Sequence, residues 1–119
     1  MTPSGPAAPH VSVPDVQADP PSFLGVCPVT VTFTGIISVD SGPVTVHYTW
    51  LRSDGAVDAN AHSVTFPDAG AQSQTVSTTW TLGADGFQYS GWEAIEITSP
   101  TTVTSSHADF TVSCVVQPP

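Results

Sequence analysis

The sequence predicts an all-β protein built as a two-sheet antiparallel sandwich. Residues 44–51 alternate strictly between an apolar face and a polar face of one strand. The apolar face holds Val44, Val46, Tyr48 and Trp50. Similar alternating segments recur between turn signals along the whole chain, without helical periodicity. Trp50 on the apolar face of a middle strand is typical of the core of such a sandwich.

Length and charge limit the classes of protein that fit. A chain of 119 residues forms a single domain and is long enough to bury a core. Arg52 is the one basic residue besides histidine, and ten acidic residues give a formal charge of −9 at pH 7. Such a surface repels phosphate groups, so DNA, RNA and anionic lipid are poor partners, and we expect neither nucleic-acid binding nor membrane insertion.

Seven strands are predicted in chain order, at residues 11–17, 27–35, 44–51, 62–66, 74–82, 91–98 and 107–116. Pro14 makes the first an edge strand because proline cannot donate to a ladder. Short alternating strands in this number indicate an immunoglobulin-like sandwich. The domain should span residues 11–117, between a Pro-rich arm at 1–10 and a tail at 118–119.

Strand parity also predicts the core. The inward-facing set consists of large apolar residues from five of the strands, at Phe33, Val46, Trp50, Trp80, Ile95, Phe110 and Val112.

The two cysteines fit this plan. Cys27 and Cys114 each share parity with the inward residues of their strands. In an immunoglobulin-like topology the start of the second strand and the end of the seventh lie at the same end of the sandwich, which favours a disulfide. Two buried free thiols are the alternative.

Four segments carry a resemblance to a known group, YTWLRSDGA from Tyr48, STTWTLG from Ser77, GWEAIEITSP from Gly91 and SSHADFTVSC from Ser105. They resemble immunoglobulin-like domains, including the PKD-like branch, of actinobacterial surface proteins and bacteriophage virion proteins. The resemblance covers residues 23–116. It implies display, adhesion, spacer or virion-decorating roles rather than catalysis.

One position departs from the antibody pattern. The segment leading to Tyr89 resembles a tyrosine corner, but Gly91 stands where an antibody domain has its second cysteine. The antibody-type disulfide is therefore absent, and Gly91 is expected to leave room for the Trp50 ring.

No catalytic pattern stands out. Residues 40–43 (Asp-Ser-Gly-Pro) echo part of a serine-protease motif but are interpreted as a turn. Glu93 and Glu96 differ in strand parity, so they should not face each other, and at least one should be solvated. The domain is expected not to be an enzyme and to need no cofactor.

A metal site is likewise not expected. Asp54, Asp58 and Asn60 place oxygen ligands in one loop, as calcium requires, but no bidentate glutamate is suitably spaced and Arg52 lies nearby.

The most informative surface is the outer face of the third, sixth and seventh predicted strands. Parity places Trp92, Leu51, His47 and Glu96 on it, as a candidate interaction patch. The alternative is that Trp92 tucks into the core at the start of its strand. The histidines are expected to be solvated, with a pH-sensitive contact as the alternative.

These features lead to a functional expectation of a non-enzymatic module on the outside of a larger assembly, most specifically a bacteriophage capsid decoration protein on the virion surface. The chain begins at Met1 without a recognisable signal peptide, and it is acidic and almost free of bases. Residues 2–10, or the loops at one end, would dock on a shell protein. The alternative is a secreted or cell-surface adhesion or carbohydrate-binding module with a glycan partner.

Overall fold

The computed structural model describes residues 10–56, 58 and 62–116, and this part of the chain contains nine β-strands and no helix. The strands are β1 (Val11–Asp19), β2 (Ser22–Gly25), β3 (Val29–Val39), β4 (Val44–Arg52), β5 (His62–Phe66), β6 (Gln72–Leu82), β7 (Gln88–Ser99), β8 (Val103–Thr104) and β9 (Ala108–Cys114). The predicted arm, apart from His10, and the predicted tail lie outside the described residues.

The strands form two sheets packed face to face. One sheet has the order β1-β3-β6, and the other has the order β2-β9-β7-β4-β5, with β8 also paired to β7. Every pairing is antiparallel except that of β2 with β9. The predicted immunoglobulin-like sandwich is confirmed, and β1 is an edge strand as Pro14 indicates.

Two short strands were not predicted, which makes the predicted count of seven wrong by two. β2 has four residues, which is too few for a period to be recognised, and its partner β9 lies far away in sequence. β8 has two residues and continues the line of β9 along β7, pairing Val103 with Ile97.

The core lies between the sheets. All seven residues assigned to it by parity are buried. Phe110 is central, because its ring meets Phe33 edge-on at 5.5 Å and Trp80 at 5.3 Å between ring centroids. Such edge-to-face pairs add to the stabilisation that burial of the rings provides.

The disulfide between Cys27 and Cys114 is confirmed, with a sulfur–sulfur distance of 2.02 Å. It closes one end of the sandwich, called here the disulfide end. Gly83 lies against it with a φ of +105°, and a Cβ there would lie 2.7 Å from the Cys114 Sγ. Glycine is therefore required at this position on both conformational and steric grounds. The opposite end, called the turn end, carries the β3–β4, β5–β6 and β7–β8 turns.

Candidate interaction surfaces

Trp92 lies on the outer face of the larger sheet. It is half-buried on β7, where it pairs with Asp109 of β9. Its indole stacks on the imidazole of His107, with 3.7 Å between ring centroids and 10° between planes. His107 belongs to the irregular segment between β8 and β9. The structure thus places Trp92 outside the core, with His107 covering one face of the ring.

Trp92 separates two shallow grooves. One, of about 320 Å³, is lined by Thr49, Leu51 and the start of the β4–β5 loop. The other, of about 300 Å³, is lined by Ser90, Thr111 and Pro21 on the β2 side. Trp92 contributes to both, so it forms a ridge between them.

The four residues predicted for this patch share one face but spread along it. Leu51 lines a groove together with Trp92. Glu96 is half-buried and pairs in register with Thr49. His47 is exposed near the turn end and accepts a hydrogen bond from Thr98 Oγ1 at its carbonyl oxygen. The structure therefore brings Leu51 and Trp92 to the same groove and leaves His47 further along β4.

A second surface was missed by the sequence reasoning. Four large apolar side chains of the described residues are strongly exposed, and all four lie near one another at the disulfide end. They are Leu24 (77% exposed), Val26 (59%), Val115 (37%) and Val116 (71%). Leu24 pairs in register with Ser113, and the Val115 N–H donates to the Gly25 carbonyl oxygen at 2.9 Å. We call these four residues the apolar corner.

The apolar corner depends on β2. Leu24 points outward because β2 pairs in parallel with β9, and that pairing could not be read from a four-residue segment. The one available signal was the apolar pair Val115 and Val116 after the last inward cysteine. On the predicted register, the alternation breaks there.

The turn end has a different character. The exposed residues of its three turns are proline, glycine, alanine and threonine with two acids, Asp40 and Asp68, and the exposed His10 lies beside them. His10 donates its backbone N–H to Asp40 Oδ1 at 2.8 Å, and the Asp40 N–H donates to the His10 carbonyl oxygen. The N-terminal segment therefore enters the sandwich at the turn end, opposite the apolar corner.

Arg52 also takes a specific place at the disulfide end. Its guanidinium lies 3.9 Å from the centroid of the Trp80 ring on the opposite sheet, and its Nη2 pairs with Asp54 Oδ2 at 2.7 Å. A cation over an indole face is favourable and more so where water is excluded. The single arginine thus joins the two sheets instead of serving as a free surface charge.

Glu93 faces inward beside Arg52. The two residues pair in register across β4 and β7, and Glu93 is only 2% exposed. Burial raises the pKa of its carboxyl group to about 7, and the nearby Asp54 and Asp58 act in the same direction while Arg52 opposes them. Glu96 lies on the other face of β7, so the two carboxylates do not converge, as parity indicated.

The acids considered as calcium ligands have other partners. Asp54 binds Arg52 and accepts the Ala56 N–H at 3.0 Å. Asp58 accepts the Trp50 backbone N–H at 3.1 Å and lies 2.9 Å from His62 Nε2. Asn60 lies outside the described residues. Within the described ranges no three histidine, cysteine or acidic side chains group as a metal site requires.

Gly91 makes room for residues other than the expected one. A Cβ there would collide with the Tyr89 ring and lie 2.6 Å from Ser53 Oγ, so the expectation that Gly91 accommodates Trp50 is wrong. The reason is that Tyr89 folds back over its own strand, where its hydroxyl shares a 2.7 Å hydrogen bond with Ser53 Oγ.

Comparison with known proteins supports the fold. No family model matches the sequence, and no curated protein matches it. One solved structure that matches is the CARDB domain of a Pyrococcus furiosus protein, crystallised in complex with di-metal ions. It is 15% identical with a TM-score of 0.57, and the match covers 92% of this chain and 96% of that one. At this identity the likeness shows a shared immunoglobulin-like sandwich.

Proposed function

We propose that this domain is a non-catalytic module that attaches to the outside of a larger assembly through its apolar corner. The observation that carries the proposal is that the strongly exposed large apolar residues of the described chain all lie at one end. Clustered apolar exposure on a soluble domain marks an interaction site, whereas scattered exposure does not. In this arrangement the acidic and polar turn end faces solvent.

The more specific form of the proposal is a bacteriophage capsid decoration protein. Its support is the resemblance to immunoglobulin-like domains of virion proteins and the net charge of −9, which suits an outward-facing coat that resists non-specific contacts. Residues 2–10, proposed as a second contact, precede the turn end.

The test uses particles of the phage that encodes the chain. Antibodies raised against the purified domain should label the particle surface in immunogold electron microscopy. Particles lacking the protein should rebind the wild-type domain but not the Leu24→Ser/Val116→Ser variant. Ala69→Ser/Ala71→Ser, which changes exposed alanines at the turn end, is the matched control and should rebind normally.

Two results would contradict this proposal. Unlabelled particles, or label confined to the bacterial envelope, would reject the virion assignment. Equal rebinding of both double variants would reject the apolar corner as the docking site.

A second candidate function is a secreted or cell-surface adhesion or carbohydrate-binding module. The observation that favours it is the Trp92–His107 stack between two grooves on a face with few charges. Indole faces commonly bind the apolar faces of sugar rings. Trp92→Ala should abolish retention of the domain on an insoluble polysaccharide that binds the wild type, while Leu24→Ser should not. Absence of glycan binding by the wild type would remove this candidate.

A further inference from the structure

The outer edge of β6 is the unusual feature of the smaller sheet. β6 has eleven residues and pairs with β3 along its whole length, from Val29↔Leu82 to Val39↔Gln72, without a register shift. In an antiparallel ladder, alternate residues direct their N–H and C=O groups to opposite sides of the strand. Since β6 is the last strand of its sheet within the described chain, half of these groups point to an edge with no strand beside it.

The outer edges of β1, β2 and β5 carry features that discourage pairing, and β8 has only two residues to offer. β1 has Pro14, a register shift between Ser12 and Asp15, and two acidic residues. β2 has four residues and β5 has five, so each offers a short edge. Prolines, bulges, charges and shortness are the means by which natural sheets avoid edge-to-edge association.

β6 has none of these features. The segment Gln72–Leu82 contains no proline, no glycine and no ionisable side chain. Near the start of β6, the Gln74 side chain reaches β5 and donates a hydrogen bond to the Thr65 carbonyl oxygen at 2.6 Å, which links the two sheets. Beyond this contact, the edge is a long, regular and uncharged strand.

We infer that β6 is a self-association strand, and that its partner is β6 of a second copy of this chain in antiparallel orientation. Charge favours this occupant, because a molecule with a net charge of −9 can approach its own copy most easily along a strand without charges. A twofold axis at Ser77 aligns the full strands and joins two three-stranded sheets into one of six strands. An overlap of this length allows about ten backbone hydrogen bonds.

The side chains of β6 match their own copy in this register. The outward-facing residues Ser73, Thr75, Ser77, Thr79 and Thr81 are all exposed. The twofold axis places Ser73 opposite Thr81, Thr75 opposite Thr79 and Ser77 opposite itself. The fold already contains this kind of hydroxyl pair across neighbouring strands, at Thr30–Thr81 (2.8 Å) and Ser38–Ser73 (2.7 Å). Pairing β6 with itself extends that ladder. The inference does not depend on the proposed function.

Sedimentation and light scattering of the purified protein test the inference. We expect a species of twice the 12.3 kDa chain mass at millimolar concentration. Ser77→Lys places two like charges opposite each other on the axis and should give a monomer. Thr34→Lys is the matched control: Thr34 pairs with Ser77 inside the sheet, on β3, and is also exposed, so this variant should still dimerise.

Cross-linking tests the register. Ser77→Cys should form an intermolecular disulfide under mild oxidation, whereas Thr34→Cys, which two intervening strands separate from its copy, should not. A wild type that remains monomeric at millimolar concentration would overturn the inference. A dimer that survives Ser77→Lys but is lost in Leu24→Ser would also overturn it and assign self-association to the apolar corner.

Discussion

Glu93 is buried at the disulfide end and has a raised pKa, even though the guanidinium of Arg52 lies close by. Arg52 is turned toward Trp80 and Asp54, so it moderates the pKa of Glu93 without cancelling the effect of burial. The folded protein therefore holds Glu93 protonated up to about pH 7. Folding therefore has an energetic penalty that begins near pH 4.5, where the unfolded chain ionises this group, and is complete above about pH 7.

We predict that Glu93→Gln removes part of the pH dependence of stability. Below pH 4.5 the group is neutral in both states and contributes nothing to the dependence. Between pH 4.5 and 7 the unfolded state ionises first, so wild-type stability falls as pH rises, and the full penalty of about 3 kcal/mol applies above pH 7. The variant should therefore gain stability relative to wild type between pH 5 and 8, measured by urea denaturation.

Glu96→Gln is the control for this prediction, because Glu96 lies on the outer face of the same strand. The free energy of unfolding of this variant should change with pH as it does in the wild type. A Glu93→Gln variant whose stability follows the wild type at every pH would show that Glu93 is ionised in the folded state.

Sequence alternation predicts which face Glu93 occupies, but not its environment. Its parity matches that of Ile95 and Ile97, so an inward direction follows from the pattern. Its burial without an ion pair depends on Arg52 reaching across to Trp80 on the other sheet. That contact is non-local, and no pattern within β4 or β7 encodes it.

At the scale of elements, the disulfide joins Cys27, just before β3, to the end of β9 across a sequence separation of 87 residues. Cross-linking so long a loop restricts the unfolded chain strongly. We predict that Cys27→Ala/Cys114→Ala lowers the free energy of unfolding by about 4–5 kcal/mol on the chain-entropy model. Urea denaturation of the oxidised wild type and the double variant would measure it. A loss below about 1 kcal/mol would mean that the unfolded chain is already compact.

The long strands could be predicted from the sequence and the short ones could not. The sequence predicts a strand for each of four long elements, which have nine or more residues and alternate in polarity: β3, β4, β6 and β7. β2 and β8 exist because β9 and β7 offer an edge to them, so their pairing is decided by tertiary structure. The apolar corner was missed for the same reason, since it is built on β2.

At the scale of the whole molecule, net charge and the apolar corner oppose each other. At pH 7 the charge of −9 makes copies repel each other wherever charged surfaces approach, but near the isoelectric point of about 4.2 this repulsion vanishes. We predict that light scattering rises steeply near pH 4.2 and that Leu24→Ser/Val116→Ser suppresses the rise. Ala69→Ser/Ala71→Ser should behave as wild type. Equal scattering by all three proteins would show that aggregation near pH 4.2 does not depend on the apolar corner.

The position of the disulfide also determines how the domain would carry a mechanical load. A pull on the chain before β1 and after β9 would pass from Cys27 directly to Cys114 through the sulfur bridge. Strands β3 to β9 lie inside this covalent loop and would bear no tension. β1 and β2 precede the bridge and could be peeled away from β3 and β9 respectively, which would remove Val11 and Val16 from the core but leave the paired strands around Phe110 joined.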